Sequence, residues 1–134
     1  MERGDYFGKK ILVVDDDRDI TTAICEYLKS EFVGVEISKA FDGKTAERMA
    51  LRDEPDVIVL DAMLPLKSGF LVLEKIKARK PSGSKPYVVV ITGNKGRRYL
   101  ECAESFGADD FINKPFRMER LVSSVGEGLE KFAS

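Results

Sequence analysis

The sequence predicts one α/β domain in which five strands alternate with five helices, giving a doubly wound parallel sheet covered on both faces. Three observations lead there. Three short apolar runs (Ile11 to Val14, Val57 to Leu60 and Val88 to Ile91) are rich in β-branched residues and lack period-two alternation. Strands buried on both faces read this way. Amphipathic patterns of helical period fill the intervals, and strand–helix alternation implies parallel pairing with right-handed crossovers. The length of 134 residues suits a single domain over 1–134, with its core from about residue 10 to 132. A chain of this size buries roughly two-thirds of its unfolded surface, enough for a real core without disulfides.

In chain order, the first apolar run leads into a helix capped by Asp17, with Ile20, Ile24 and Leu28 as its buried stripe. The alternation around Val35 to Ser38 suits a half-exposed edge strand. Asp42 caps a second helix through about Leu51. After the second apolar run, Ser68 caps a third helix carrying Leu73 and Ile76, whose basic tail from Lys77 to Lys80 suits a helix C-terminus. Lys80 to Pro86 reads as a surface loop before the third run. Tyr99, Cys102, Ala103 and Phe106 mark a fourth helix ended by Gly107, and Asp110 to Asn113 form a short fifth strand. Leu121, Val122, Val125 and Leu129 mark the last helix. Gly126 and Gly128 each weaken it by up to about 1 kcal/mol relative to Ala, so its end is expected to fray. No internal repeat, low-complexity segment or linker interrupts the series.

Composition excludes several functions. With 22 basic and 23 acidic residues, the net charge of −1 argues against a polyanion binder with a basic excess and against an acidic tail. The absence of His removes histidine acid–base catalysis, most zinc sites and any phosphohistidine on this chain. Cys25 and Cys102 form no metal-binding or redox pair and read as small core fillers in a reducing compartment. No apolar run approaches the ~20 residues needed to span a bilayer, and no signal-peptide core opens the chain. A soluble, cytoplasmic protein is expected.

The informative residues stand where the strands end. The first apolar run stops at Asp15, Asp16 and Asp17, the second at Asp61 and the third at Thr92, while the fifth strand leads into Lys114 and Pro115. In an open α/β sheet, ligands bind outside the carboxyl ends of the strands, so these groups converge on one crevice. Asp15, Asp16 and Asp61 crowded together repel one another, and a divalent cation relieves that repulsion. An all-oxygen donor set without His or thiolate selects Mg²⁺, Mn²⁺ or Ca²⁺. A small number of protein ligands, leaving several positions to water, suits Mg²⁺ best. Adding the Lys114 ammonium and the Thr92 hydroxyl makes a site for a phosphoryl group, whose chemistry needs charge neutralisation and positioning. Taken singly, each residue reads as a cap, a turn or a strand end. Their joint placement carries the inference.

The stretches ILVVDDD at 11–17, VIVLDAMLPLKSG at 57–69, VVVITG at 88–93 and GADDFINKPF at 107–116 resemble the receiver domain of two-component response regulators. The resemblance runs from about Lys10 to Phe132. It implies a flavodoxin-like sheet of strand order 2-1-3-4-5 and a phosphorylation-dependent switch. Asp61 is then the phosphoacceptor, attacking a phosphohistidine of a partner histidine kinase or phosphotransfer protein. The same resemblance gives Mg²⁺ (or Mn²⁺) to the Asp16 and Asp61 carboxylates and the Met63 backbone carbonyl, with Asp15 acting mainly through metal-bound water. Lys114 pairs with the phosphoryl oxygens, Thr92 moves to hydrogen-bond them, and Phe111 is the aromatic that changes rotamer with Thr92. The Lys114–Pro115 bond is commonly cis in this family. Gly93 and Gly96 give the loop after Thr92 freedom to move.

Three positions depart from the family pattern. Gly93 replaces a frequent Ala, Phe111 a frequent Tyr, and Arg117 a frequent acidic residue at the start of the last helix. The family's output surface is formed by the fourth helix, fifth strand and fifth helix. Arg97, Arg98, Arg117 and Arg120 suggest a basic character for it here. Downstream, the resemblance implies control of a protein target or a linked effector domain. No segment remains for a helix-turn-helix, so direct DNA binding by this chain is not expected, nor is membrane binding; a homodimer through the last helix is open. A chain that begins with Met and ends just after the fifth helix favours a stand-alone receiver over a fragment of a longer regulator. Competing readings are a flavin-phosphate binder of the same fold, a haloacid-dehalogenase-like aspartyl-phosphate phosphatase, and a binding module that works without phosphorylation. Three Asp after the first strand repel a flavin phosphate, and Asp19 stands where the phosphatase motif has Thr or Val.

Overall fold

The computed structural model describes residues 6–64, 68–78, 84–93 and 97–132, without the side chains of 97–99. Five strands and five helices alternate along it: β1 (Lys10–Val14), α1 (Arg18–Glu31), β2 (Glu36–Ala40), α2 (Gly43–Asp53), β3 (Val57–Asp61), α3 (Gly69–Ala78), β4 (Tyr87–Thr92), α4 (Arg97–Ser105), β5 (Asp110–Asn113) and α5 (Met118–Lys131). All strand pairs are parallel, in the order β2-β1-β3-β4-β5. The fold class and strand order expected from sequence are therefore those observed. Among the described residues, no helix is long and apolar enough to cross a membrane.

Period-two geometry sorts the apolar strands into two core layers. Ile11, Val13, Val57, Val59, Val89 and Ile91 face one way, onto Ile24, Leu28, Leu121, Val125 and Leu129 of α1 and α5. Leu12, Val14, Ile58, Leu60, Val88 and Val90 face the other way, onto Ala46, Ala50, Val72, Leu73 and Ile76 of α2 and α3. This is why the central strands show no alternation in sequence: both faces are dry. The edge strand β2 begins at Glu36 and runs on to Ala40, slightly later than its alternation suggests.

The helix caps follow the side chains that announced them. Asp17 accepts from the N–H groups of Asp19 and Ile20 at 3.0 and 3.1 Å. Asp42 accepts from Thr45 N–H at 2.8 Å, and Ser68 Oγ from Phe70 N–H at 3.2 Å. Ending α4, Gly107 turns the chain with φ +95°.

One expectation needs correction. Ile20 is 38% exposed, and Thr21, fully buried, takes its place facing the core. Its hydroxyl donates to the carbonyl of Asp17 at 2.8 Å, so a polar side chain meets the core with its hydrogen bond satisfied. α5 continues past its glycines to Lys131. Gly128 is buried there, and a Cβ at that position would lie 2.6 Å from Tyr87 Cδ1 and 2.8 Å from Val57 Cγ2. Glycine lets α5 approach the sheet closely, and packing outweighs its poor helix propensity. Residues 80–83 of the expected surface loop, residues 79 and 80 of the expected basic tail, and Gly96 lie outside the described residues.

Candidate functional site

The strands place the predicted residues at their carboxyl ends, around one crevice. Asp15 follows β1 and is buried; its N–H donates to Ala40 O at 3.2 Å, and its Oδ1 accepts from Asp17 N–H at 2.9 Å. Asp61 closes β3, also buried, with Oδ1 accepting from Met63 N–H at 2.8 Å. Asp16 is exposed at the mouth. One carboxylate oxygen from each of Asp15, Asp16 and Asp61 lies within 4.8 Å of the others.

One cation reaches in from the opposite side. Lys114 follows β5, its N–H donating to Thr92 O at 2.8 Å, which ties its position to the end of β4. Its Nζ stands 3.5 Å from both Asp15 Oδ2 and Asp61 Oδ2. The Lys114–Pro115 bond is cis, as the resemblance implied. Burial pushes the Asp61 carboxyl upward and the Asp15 charge adds to this, while Met63 N–H and Lys114 pull it back only in part. Burial opposes the charge on Lys114, but Asp61 and Asp15 outweigh it and raise its pKa, so the ammonium stays protonated.

Thr92 is fully buried at the end of β4, and Gly93 beyond it has open space where a Cβ would sit. Phe111 is half-buried over the α2/α3 layer. It borders a cavity of about 210 Å³ shared with Leu100, Ala103 and Ala108. Met63 is 57% exposed beside the carboxylates. The structure thus brings Asp15, Asp16, Asp61, Met63 and Lys114 to one crevice with Thr92 at its wall, and sets Phe111 behind it on β5. Asp17 stays a helix cap.

Other contributors to this region are not evident from strand-end reasoning. Gly69 begins α3, and a Cβ there would collide with the Asp61 carbonyl oxygen and lie 2.8 Å from Ala62 Cα. Its N–H donates to Ala62 O at 3.1 Å, so α3 presses directly on the backbone that follows Asp61. A glycine at the first position of a helix, just after its cap, is the sequence signal that marks it. Arg18 stacks over the Phe41 ring at 4.0 Å beside the crevice. Arg120 makes a two-point ion pair with Asp110, both bonds 2.9 Å, and is therefore neutralised on the surface expected to be basic. Arg117 occupies the N-cap of α5 without a side-chain cap bond. The side chains of Arg97 and Arg98 lie outside the described residues.

An all-oxygen set of three clustered carboxylates with one neighbouring ammonium suits a hard divalent cation and, beside it, an anionic phosphoryl group. The donor chemistry fits Mg²⁺.

Comparison with known proteins agrees with this geometry. Residues 11–126 match the response regulator receiver domain family. The chain is 35% identical over 122 residues to the probable transcriptional regulatory protein TcrX of Mycobacterium tuberculosis, covering 91% of this chain and 50% of that one. It is 29% identical over 116 residues to the DNA-binding dual master transcriptional regulator RpaA of Synechocystis, covering 87% and 47%. The chain thus spans about half the length of these relatives. Among solved structures, the receiver domain of Francisella response regulator 1452 superposes with a TM-score of 0.83 at 26% identity, covering 94% of this chain and 100% of that one. The chain belongs to the response regulator receiver domain family.

Proposed function

We propose that this chain is one receiver unit over 1–134 that works in the cytoplasm as a phosphorylation-dependent switch, with Asp61 as its phosphoacceptor. The observation that carries the reading is the position of Lys114 Nζ, 3.5 Å from both Asp15 and Asp61, facing a carboxylate triad that its single charge does not neutralise. Asp15, Asp16, Asp61 and the Met63 carbonyl would hold Mg²⁺, which when bound offsets the negative charge that otherwise repels a phosphoryl donor. A carboxylate oxygen of Asp61 attacks phosphorus in line as the P–N bond to the partner's imidazole breaks, and the bond electrons leave with that imidazole. Lys114 pairs with a phosphoryl oxygen. Thr92 donates its hydroxyl to another, and Phe111 follows it into the space beside β5.

Phosphorylation adds about −1.5 to −2 charge, so Thr92 and Lys114 gain charge-assisted hydrogen bonds that exist only in that state. The α4–β5–α5 face would transmit this difference to a protein target or a linked effector domain. With no His in the chain, the phosphohistidine is supplied by a partner kinase or phosphotransfer protein.

Incubation with acetyl phosphate and Mg²⁺, read by intact mass, tests the reading. One phosphoryl adduct is expected in the native chain and none in Asp61→Ala or without divalent ion. An adduct unchanged in Asp61→Ala overturns it. Turnover of phosphate esters by Asp61→Asn, with label on Asp15, would instead favour the phosphatase reading.

A further inference from the structure

The amino terminus of a helix carries partial positive charge, so acids stabilise it and cations oppose it. Around the crevice this chain places cations there. Every helix starts at the carboxyl end of a strand, and α2, α3 and α4 have no acid in their first turn. α1 and α5 have one each, Asp19 and Glu119. Yet α1 opens on Arg18, α2 on Gly43 and Lys44, and α4 on Arg97 and Arg98, while Arg117 is the N-cap of α5. An arginine at that cap forgoes the side-chain bond that Ser, Thr, Asp or Asn would make. Each of these cations works against the helix that carries it, so helix stability does not account for them.

Nor are they spent on carboxylates. The Arg18 guanidinium lies 4.0 Å from the centre of the Phe41 ring, which holds it in place and leaves its N–H edge free. Among the described residues, neither it nor the exposed side chains of Lys44 and Arg117 has an ion pair. The undescribed stretches 65–67, 79–83 and 94–96 contain no acid. Glu2 and Asp5 precede Tyr6, whose N–H bonds Val33 O past the far end of α1, ~21 Å along that helix from Arg18. The cations also surround the crevice. β1 and β5 stand three strand spacings apart, ~14 Å, so Arg18 and Arg117 flank Asp61 from opposite sides, and Lys44 follows β2 beyond Arg18.

We infer, on the reading that Asp61 is the phosphoacceptor, that these cations form a collar that selects the phosphodonor by charge: the partner is a protein with carboxylates around its phosphohistidine. On that reading three carboxylates, Lys114 and one divalent ion sum to zero charge in the crevice. The collar then sets the field that an approaching donor meets. Complementary charge steers encounter and fixes register, and like charge turns away wrong partners.

The test uses two synthetic peptides as donors, each with one central His phosphorylated by phosphoramidate, flanked by Glu in one and by Lys in the other. Intact mass reads transfer to the full chain in Mg²⁺. The Glu-flanked donor should transfer at least tenfold faster, and added salt should shrink that preference. Arg18→Gln combined with Arg117→Asp should reduce the preference at least fivefold, and Lys44→Gln should reduce it further. Arg117→Asp alone supplies the missing cap, so it should raise Tm while lowering the preference; a merely structural role would lower both. Equal transfer from the two peptides, no transfer from either, an unchanged preference in the double variant, or a lower Tm in Arg117→Asp would overturn the inference. Absence of an acetyl phosphate adduct on Asp61 would instead remove the acceptor reading beneath it.

Discussion

Replacing Asp61 by Asn should stabilise the domain in the absence of divalent ions, although it removes an ion pair. At the effective dielectric of about 20 that suits such sites, the attraction of Lys114 at 3.5 Å amounts to ~4.7 kcal/mol, and a like charge no farther than 4.8 Å away repels by ~3.5 kcal/mol or more. Asp15 is buried and exerts most of that repulsion; Asp16 is exposed and its share is reduced by solvent. These contributions largely cancel, leaving desolvation of the carboxylate, which asparagine avoids, to decide the sign. Lys114 keeps its partner Asp15 in the variant. We expect a gain of about 1–2 kcal/mol, and 1 kcal/mol moves Tm by roughly 4 °C for a chain of this size.

The pH dependence gives a second reading of the same effect. Folding raises the Asp61 pKa above its unfolded value of about 3.9, so the folded state binds the extra proton and stability falls as pH rises through that window. The advantage of Asp61→Asn is therefore full above the folded pKa and vanishes below about pH 4. Saturating Mg²⁺ should stabilise the native chain more than the variant, narrowing the gap. Thermal melts in chelator at pH 7, then across pH, decide it. A variant that melts at or below the native chain in chelator refutes the reasoning. Lys114→Ala should move Tm the opposite way, since it leaves the carboxylates without their cation.

Three further outcomes follow from packing and pairing. Gly69→Ala drives a Cβ into the backbone of Asp61 and Ala62, so it should cost about 1–3 kcal/mol and slow acetyl phosphate labelling by displacing the segment bearing Met63; denaturant melts and labelling rates check both. Gly128→Ala should destabilise by a similar amount through Tyr87 and Val57, whereas Gly126→Ala should stabilise by up to about 1 kcal/mol, so urea midpoints of the two should move in opposite directions. For the Arg120–Asp110 pair, burial opposes the Asp110 charge, yet hydrogen bonds from Arg120 and Phe111 N–H win and hold its pKa low. A lowered carboxylate stabilises above its unfolded pKa, and that contribution is lost as pH falls through the folded value. Arg120→Ala should thus cost up to about 1 kcal/mol at neutral pH, and the cost should disappear once acid has protonated Asp110 in the folded chain, read from melts across a falling pH series.

The sequence exposes the strands and the crevice for one physical reason. A strand dry on both faces must be apolar throughout, so the first polar residue after it marks the end of the sheet where ligands gather. Asp15, Asp61 and Thr92 announce themselves in that way, and Lys114 does so through its place after β5. What sequence does not expose depends on distance between elements. Thr21 reaches the core because a carbonyl one turn back accepts from its hydroxyl, while periodicity points to Ile20. Gly128 reads as a helix breaker until Tyr87 and Val57 are seen against it. Arg120 reads as a free cation until β5 places Asp110 beside it. Gly69 is marked by its place just after a helix cap, yet its contact is with the backbone of Asp61 and Ala62, a partner that sequence does not name.

The balanced charge count conceals a polarity along the sheet, and that polarity separates structural aspartates from functional ones. At the amino ends of the strands, Asp56 accepts from Lys10 N–H at 2.8 Å and has the ammonium groups of Lys85 and Lys9 at 3.7 and 3.9 Å. Asp109 accepts from Val88 N–H at 2.8 Å and has Lys77 and Lys131 at 2.8 and 3.8 Å. Each of these carboxylates has at least as much positive charge around it as it carries, and each ties a strand to its neighbours. At the carboxyl ends the ratio inverts: among the described residues, Asp15, Asp16 and Asp61 cluster around the single ammonium of Lys114. Burial makes an unneutralised carboxylate expensive, so a fold that paired its other buried acid, Asp56, had the means to pair these. On the proposed reading, the charge left uncompensated at that end is what a divalent cation would supply, so a phosphoryl group would change the balance at the crevice and not at the better-satisfied Asp56 or Asp109.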